Sequence, residues 1–306
     1  MLGNRRLFAP AVPIFFLKRP MHTQRLWARV ALLLTNRGGF GRLRAARIRL
    51  GWPFALRGAS ASAIIVGMLG TRCSDASAET GTQAQTLRWV QSVLAHIYAD
   101  EHCDPSFGPT LTPSEEEEVD ATGGSHIYGE ITSDGVNILM SWVSGRLREH
   151  MTGKPWSFVD LGSGVGRMCM QVYLAWGAAC ATGVELSRTR HEAAERAAQM
   201  AVQMGALPPS GNGLRFVCAD LLLASEHLEG GSGRGWVGVY IASLLFDEKM
   251  MSKVDELLER SSQVLWVATL QRLPDREGAS LRLDGTLRVP MSWGDACVYL
   301  YVRKGT

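Results

Sequence analysis

Residues 158–166, Phe-Val-Asp-Leu-Gly-Ser-Gly-Val-Gly, constrain this chain more than any other stretch. A short apolar run ends in an acid, glycines follow at alternate positions (Gly162, Gly164, Gly166), and Met168, Val172 and Leu174 then open a helical pattern. The reading is strand, tight turn, helix, in which the glycines let the backbone turn sharply and let a ligand approach the main chain. The run lacks the third glycine of the dinucleotide G-x-G-x-x-G, and no Gly-Lys-Ser/Thr follows as in a triphosphate loop. Asp160 at the strand end and Gly-Val-Glu at 183–185, one helix further on, point to S-adenosylmethionine. The first acid suits a cofactor carrying an ammonium and a sulfonium; the second suits ribose hydroxyls. The alternative is a doubly wound domain whose glycine turn only packs a helix.

The rest of the chain arranges itself around that turn. Leu87, Val90, Leu94, Ile97 and Tyr98 keep helical spacing from about Gln83 to Asp100. Pro105, Pro109, Pro113 and Glu115–Glu118 read as a polar, solvated linker and not as a metal site. Val136, Leu139, Val143 and Leu147 mark a helix with Thr132 or Ser133 as N-cap. After the central strand and its helix come a strand near 181–186, a helix over 188–204 stopped by Gly205, and a strand at 214–218 leading to Asp220. Residues 229–235 read as a flexible loop. A strand near 237–242, a helix over 248–260, a strand at 264–270 and a closing hairpin of 286–290 and 297–302 complete the pattern. Pro290 suits an edge. Strands alternating with helices predict a Rossmann-like, seven-stranded, mainly parallel sheet, with ligand across the strands' carboxyl ends. Asp160, Glu185, Asp220 and Ala242-Ser243 fall at four such ends.

Charge divides the chain. Residues 1–74 hold 13 Lys or Arg and no Asp or Glu, leaving 19 basic against 29 acidic residues in the remainder. The expected organisation is a basic extension over 1–80 and a catalytic domain over 81–306, with a small helical part (81–150) before the Rossmann-like core (151–306). The extension reads as a mitochondrial transit peptide, as a tail that binds nucleic-acid phosphate, or as sequence upstream of a true start at Met21 or Met68. Six dispersed cysteines without C-x-x-C read as reduced thiols. No apolar run reaches bilayer length and no His cluster has metal-ligand spacing, so neither membrane nor metal is expected.

In order, the blocks Tyr-Gly-Glu (128–130), 158–166, Gln171-Val172, Gly-Val-Glu (183–185), Ala-Asp-Leu (219–221), Phe246 and Ser292-Trp293 resemble the disruptor-of-telomeric-silencing (Dot-one) histone methyltransferases. These are non-SET enzymes that methylate a lysine on the globular face of histone H3 in nucleosomes, and the compact size looks like their short protozoan members. The likeness covers about 84–304 and implies a class I S-adenosylmethionine-dependent methyltransferase acting in the nucleus. It implies that Asp160, Gly162 and Gly164 hold the methionine end of S-adenosyl-L-methionine, with Gly166 and Arg167 beside them. Glu185 would take the ribose, Asp220 and Leu221 would border the adenine, and Tyr128, Glu130 and Thr132 would close over the cofactor. Val136, Phe246 and Trp293 would line an apolar channel for the lysine. Ser243 and Tyr299 complete the implied catalytic set, although the family has an Asn-Asn pair where this chain has Ala242-Ser243. Its late tyrosine falls on Leu300, and its Gln after the glycines on Arg167. The implied partners are histone H3 in the nucleosome and, through the basic arm, nucleosomal DNA. The transit-like arm leaves the mitochondrion as the other expected location, with another protein or RNA as acceptor. A cofactor-binding protein without turnover is the remaining alternative.

The implied chemistry asks little of side chains. Methyl transfer from a sulfonium to an amine moves positive charge without creating it, so alignment is the main demand. The lysine must arrive neutral, which an apolar channel favours. No side chain stands out as a general base, so the expectation is a bulk-water path for the proton; His126 is assigned no role.

Overall fold

The computed structural model describes residues 76–99, 108–209, 213–229 and 235–305, with 76–80 as backbone only. The basic arm before residue 76 and most of the expected loop at 229–235 lie outside the described residues. Helix α1 (Ala76–Ile97) is followed by α2 (Pro113–Ala121), α3 (Ser133–Arg146) and the single turn α4 (Arg148–Met151). Then come β1 (Trp156–Leu161), α5 (Arg167–Ala175), β2 (Cys180–Glu185), α6 (Arg188–Gln203) and β3 (Leu214–Cys218). A 3-10 stretch (Leu221–Glu229), β4 (Trp236–Ile241), α7 (Glu248–Arg260), β5 (Val264–Thr269), β6 (Leu281–Met291) and β7 (Gly294–Arg303) complete the order.

The seven strands form one sheet in the order β3-β2-β1-β4-β5-β7-β6. The first five are parallel and the β6–β7 hairpin is antiparallel. This is the mainly parallel Rossmann-like sheet that the strand–helix alternation predicts. The chain runs outward from β1 to β3, then returns to the other side of β1 as β4, so the strand order reverses between β1 and β4. In open sheets of this kind that reversal makes a crevice at the carboxyl ends.

Parallel strands covered on both faces should read as continuous apolar runs, and β5, Val-Leu-Trp-Val-Ala-Thr, is buried at every position. Trp266 on β5 lies over Gly238 of β4, where any Cβ would collide with the indole. Phe158 stacks against the same ring at 6.1 Å between centroids. One face of the sheet carries α1, α3, α5 and α6 over Phe158, Leu265 and Leu300. The other carries α7, whose Met250, Met251, Val254, Leu257 and Leu258 form one apolar stripe over Leu161, Val239 and Val267.

Some boundaries, and one assignment, differ from the sequence reading. Helix α1 starts seven residues before Gln83. Strand β6 starts at Leu281 and runs through Pro290, which is tolerated because β6 is the edge strand. The largest difference is the acidic run, which is helix and not solvated linker. Thr112 and Glu115 form a capping box with Pro113 in the first turn. The Glu115 carboxylate also accepts from the Thr189 backbone N–H at 2.9 Å and from the Ser187 hydroxyl at 3.3 Å. It therefore caps α6 as well as its own helix and fastens α2 to the sheet's carboxyl edge.

Candidate functional site

Two cavities lie over the carboxyl ends of β1, β2 and β4. They meet along Tyr128, Gly129, Gly162, Gly164 and Ala242, which border both. The glycine turn makes this meeting possible. Gly162, Gly164 and Gly166 all have positive φ (90°, 55° and 79°), which L side chains rarely adopt. At Gly164 a Cβ would come within 2.8 Å of the Tyr128 hydroxyl. The turn is pinned by Gly162 and Ser163 donating their N–H groups to the Val184 carbonyl at 2.8 and 3.0 Å.

The smaller cavity is lined by Asp160, Ser163, Tyr240, Glu130, Arg167 and Met168 besides the shared residues. Asp160 is 3% exposed, and its Oδ1 has no hydrogen-bond partner. Burial, then the neighbouring charges of Glu185 and Glu130, hold its carboxyl well above the usual carboxylate range. Facing it, Arg167 Nε donates to Glu130 at 2.6 Å, and the guanidinium lies 4.1 Å from the Tyr98 ring centroid. Glu130 also accepts a short hydrogen bond from the Tyr128 hydroxyl.

The larger cavity is lined by Glu185, Leu186, Arg190, Asp220, Leu221, Phe246 and Met250, and roofed by the segment 119–129. Glu185 accepts from Gly164 N at 2.8 Å and from Ser187 N at 2.9 Å, which fixes its carboxylate without consuming all its acceptor capacity. Asp220 Oδ1 accepts from Leu222 N at 2.9 Å. The roof is tied down by Arg190, which donates to the His126 carbonyl and lies over the Tyr128 ring, and by Asp247 N donating to the Gly123 carbonyl at 2.9 Å.

Of the sixteen residues singled out from the sequence, ten border these cavities: Tyr128, Glu130, Asp160, Gly162, Gly164, Arg167, Glu185, Asp220, Leu221 and Phe246. The other six border neither, each for a visible reason. Thr132 is the N-cap of α3; its hydroxyl accepts from Gly135 N and donates to the Pro290 carbonyl, both at 3.0 Å. Gly166 keeps α5 clear of Phe216, whose ring a Cβ would strike. Val136 is core, 1% exposed on the inner face of α3. Ser243 is sealed: its hydroxyl pairs with Thr269 at 2.6 Å and accepts from Gln271 N at 3.1 Å. Trp293, 48% exposed on the β6–β7 turn, presses on the backbone of Gly129. Tyr299 lies beside Arg272, 5.5 Å from ring centroid to guanidinium. Phe246 borders the cavity alongside Asp220 and Leu221, at the adenine end of the implied cofactor path. Of the three residues implied for a lysine channel, Phe246 borders the larger cavity and Val136 and Trp293 border neither.

Ser163, Arg190 and Tyr240 also border the cavities, and the sequence reading does not single them out. Tyr240 sits in an apolar run and reads as core; its register opposite Asp160 is the only signal, and it is three-dimensional.

A sulfonium nucleoside with an amino-acid tail fits this arrangement. Unpartnered buried oxygens converge on the smaller cavity at Asp160, Ser163 and Tyr240. Gly162 lies open with no atom within 4 Å of a built Cβ, and the larger cavity combines a preset carboxylate with apolar walls. Among the described residues no group of three or more His, Cys, Asp and Glu could hold a metal ion.

Comparison with known proteins gives one family. Residues 120–277 match the family described as histone methylation protein DOT1. No curated protein matches. Among solved structures, magnesium protoporphyrin IX methyltransferase of Synechocystis PCC 6803 with bound SAM is 15% identical over 76% of this chain and 100% of that one, at a TM-score of 0.39. A putative RNA methyltransferase of Pyrococcus horikoshii is 12% identical over 70% of this chain and 98% of that one, at 0.41.

Proposed function

The chain belongs to the histone methylation protein DOT1 family and has the class I methyltransferase sheet, and from that premise we propose that it methylates a lysine on the globular core of histone H3 in nucleosomes. It is an S-adenosyl-L-methionine-dependent methyltransferase. The observation that carries the cofactor assignment is Asp160 Oδ1, a buried acceptor without a partner at the foot of the glycine turn.

Bound across the two cavities, the cofactor would supply a methyl group on a sulfonium, open to displacement by a neutral amine. Asp160 would face the ammonium and Arg167 the carboxylate. Glu185, held by Gly164 N and Ser187 N, would receive the ribose hydroxyls without reorganising. Leu221, Phe246 and Met250 would flank the adenine, with Asp220 at its edge. Tyr128 and Gly129 border both cavities and would close over their junction. Ala242, at the same junction, offers no side-chain amide to orient the amine, and Ser243 is committed elsewhere. Desolvation near the junction favours the neutral amine, and its proton leaves through water.

The basic arm would hold the enzyme on nucleosomal DNA by counterion release, offsetting the acidity of the body, with the nucleus as its place of action. Incubation with labelled cofactor and either nucleosomes or free histones tests the proposal. Label on H3 of nucleosomes is expected. Label only on another protein or on RNA, or cofactor binding without transfer, would overturn it.

A further inference from the structure

We infer that Tyr240 is a cofactor-binding residue whose phenolic oxygen shares the α-ammonium of the cofactor's amino-acid end with Asp160. The inference rests on the methyltransferase reading above. Tyr240 on β4 is the direct register partner of Asp160 on β1, at the reversal of strand order where ligands bind. It is 2% exposed, yet it borders the smaller cavity. Its hydroxyl has no hydrogen-bond partner, and neither do Asp160 Oδ1 and Ser163 Oγ on the same cavity.

Buried polar atoms are seldom left unpaired. A phenylalanine would fill this strand position equally well, so the hydroxyl needs a reason. An ammonium presents three diverging N–H donors. The Asp160 carboxylate can accept one with full charge, the Tyr240 oxygen a second and the Ser163 oxygen a third. Arg167 across the cavity supplies the cation that an α-carboxylate wants. The incoming substrate amine is a poorer occupant. The residues common to both cavities mark where the two halves of the cofactor join, and Tyr240 is not among them; it lies wholly on the amino-acid side.

Calorimetry on the full chain tests this with two probes. S-adenosylhomocysteine carries the amino-acid end; 5′-methylthioadenosine keeps the adenosine and sulfur without it. Tyr240→Phe should weaken S-adenosylhomocysteine about tenfold, leave methylthioadenosine within about twofold, and hold or raise Tm because an unpaired buried hydroxyl is gone. Undiminished S-adenosylhomocysteine affinity overturns the inference, including the case in which transfer slows, which would set the hydroxyl on the acceptor side. Equal losses for both probes overturn it too, as the mark of a distorted cavity. If the wild type binds neither probe, the methyltransferase reading itself fails.

Discussion

Two carboxylates, one on the helix α2 and one at the foot of the glycine turn, are treated in contrary ways. Glu115, in the first turn of α2, accepts hydrogen bonds from the backbone N–H and hydroxyl groups of Thr112 and Thr189 and from the Ser187 hydroxyl. Asp160, on the floor, has one oxygen with no partner and the other 4.0 Å from the Cys169 thiol. Burial works to raise both pKa values. At Glu115 the hydrogen bonds from Thr112 and Thr189 outweigh it and bring the carboxyl to about 2. At Asp160 burial prevails, reinforced by Glu185 and Glu130. At Glu115 the completed hydrogen bonding serves the architecture; at Asp160 the unfinished hydrogen bonding faces a cavity.

The contrast can be broken most directly at Asp160. Asp160→Asn should weaken S-adenosylhomocysteine about a hundredfold by calorimetry, since a charge-assisted pair is lost, while Tm at neutral pH rises. Equal affinity in the variant would show that the unpaired oxygen is not a ligand group.

The next largest effect is on pH dependence, where the two acids have opposite signs. The folded pKa of Asp160 is raised, so its contribution to stability is present at low pH and is lost as pH rises through that value. Because the carboxyl must ionise to meet an ammonium, cofactor affinity should climb with pH and binding should release a proton, read from calorimetry in buffers of different ionisation enthalpy. The folded pKa of Glu115 is depressed from 4.5 to about 2, so its contribution is present above 4.5 and is lost as pH falls towards 2. Glu115→Ala should lower stability by about 1–2 kcal/mol in denaturant titrations at neutral pH and flatten that acid limb.

The smallest functional effect is expected at Ser243. Ser243→Ala leaves Thr269 and Gln271 N short of a partner, so Tm should fall, with cofactor affinity and transfer rate unchanged. A loss of transfer at constant stability would return Ser243 to the reacting centre.

Much of this was legible in the sequence where local chemistry dictates it. Only glycine takes three positive-φ positions within five residues without strain, so 158–166 had to be a turn between strand and helix. Apolar runs of strand length separated by amphipathic helices left few sheets to choose from. Glu115 was misread because a run of glutamates looks solvated, although Thr112-Pro113-Ser114-Glu115 is a capping signature in plain sight. Val136 and Trp293 rest on their order in the resemblance alone, and order along a chain does not say which face of a helix or hairpin points inward. Tyr240 could not be found that way: its partner Asp160 lies eighty residues earlier, and only the β1–β4 pairing brings them together.

The indole of Trp293 rests on the bare backbone of Gly129, too close to admit even a methyl group between them. Gly129 in turn forms part of the wall of both cavities. The hairpin tip therefore behaves as a doorstop for the ceiling of the site. Lifting that ceiling means either swinging the tip along with it or sliding the glycine sideways from beneath the ring.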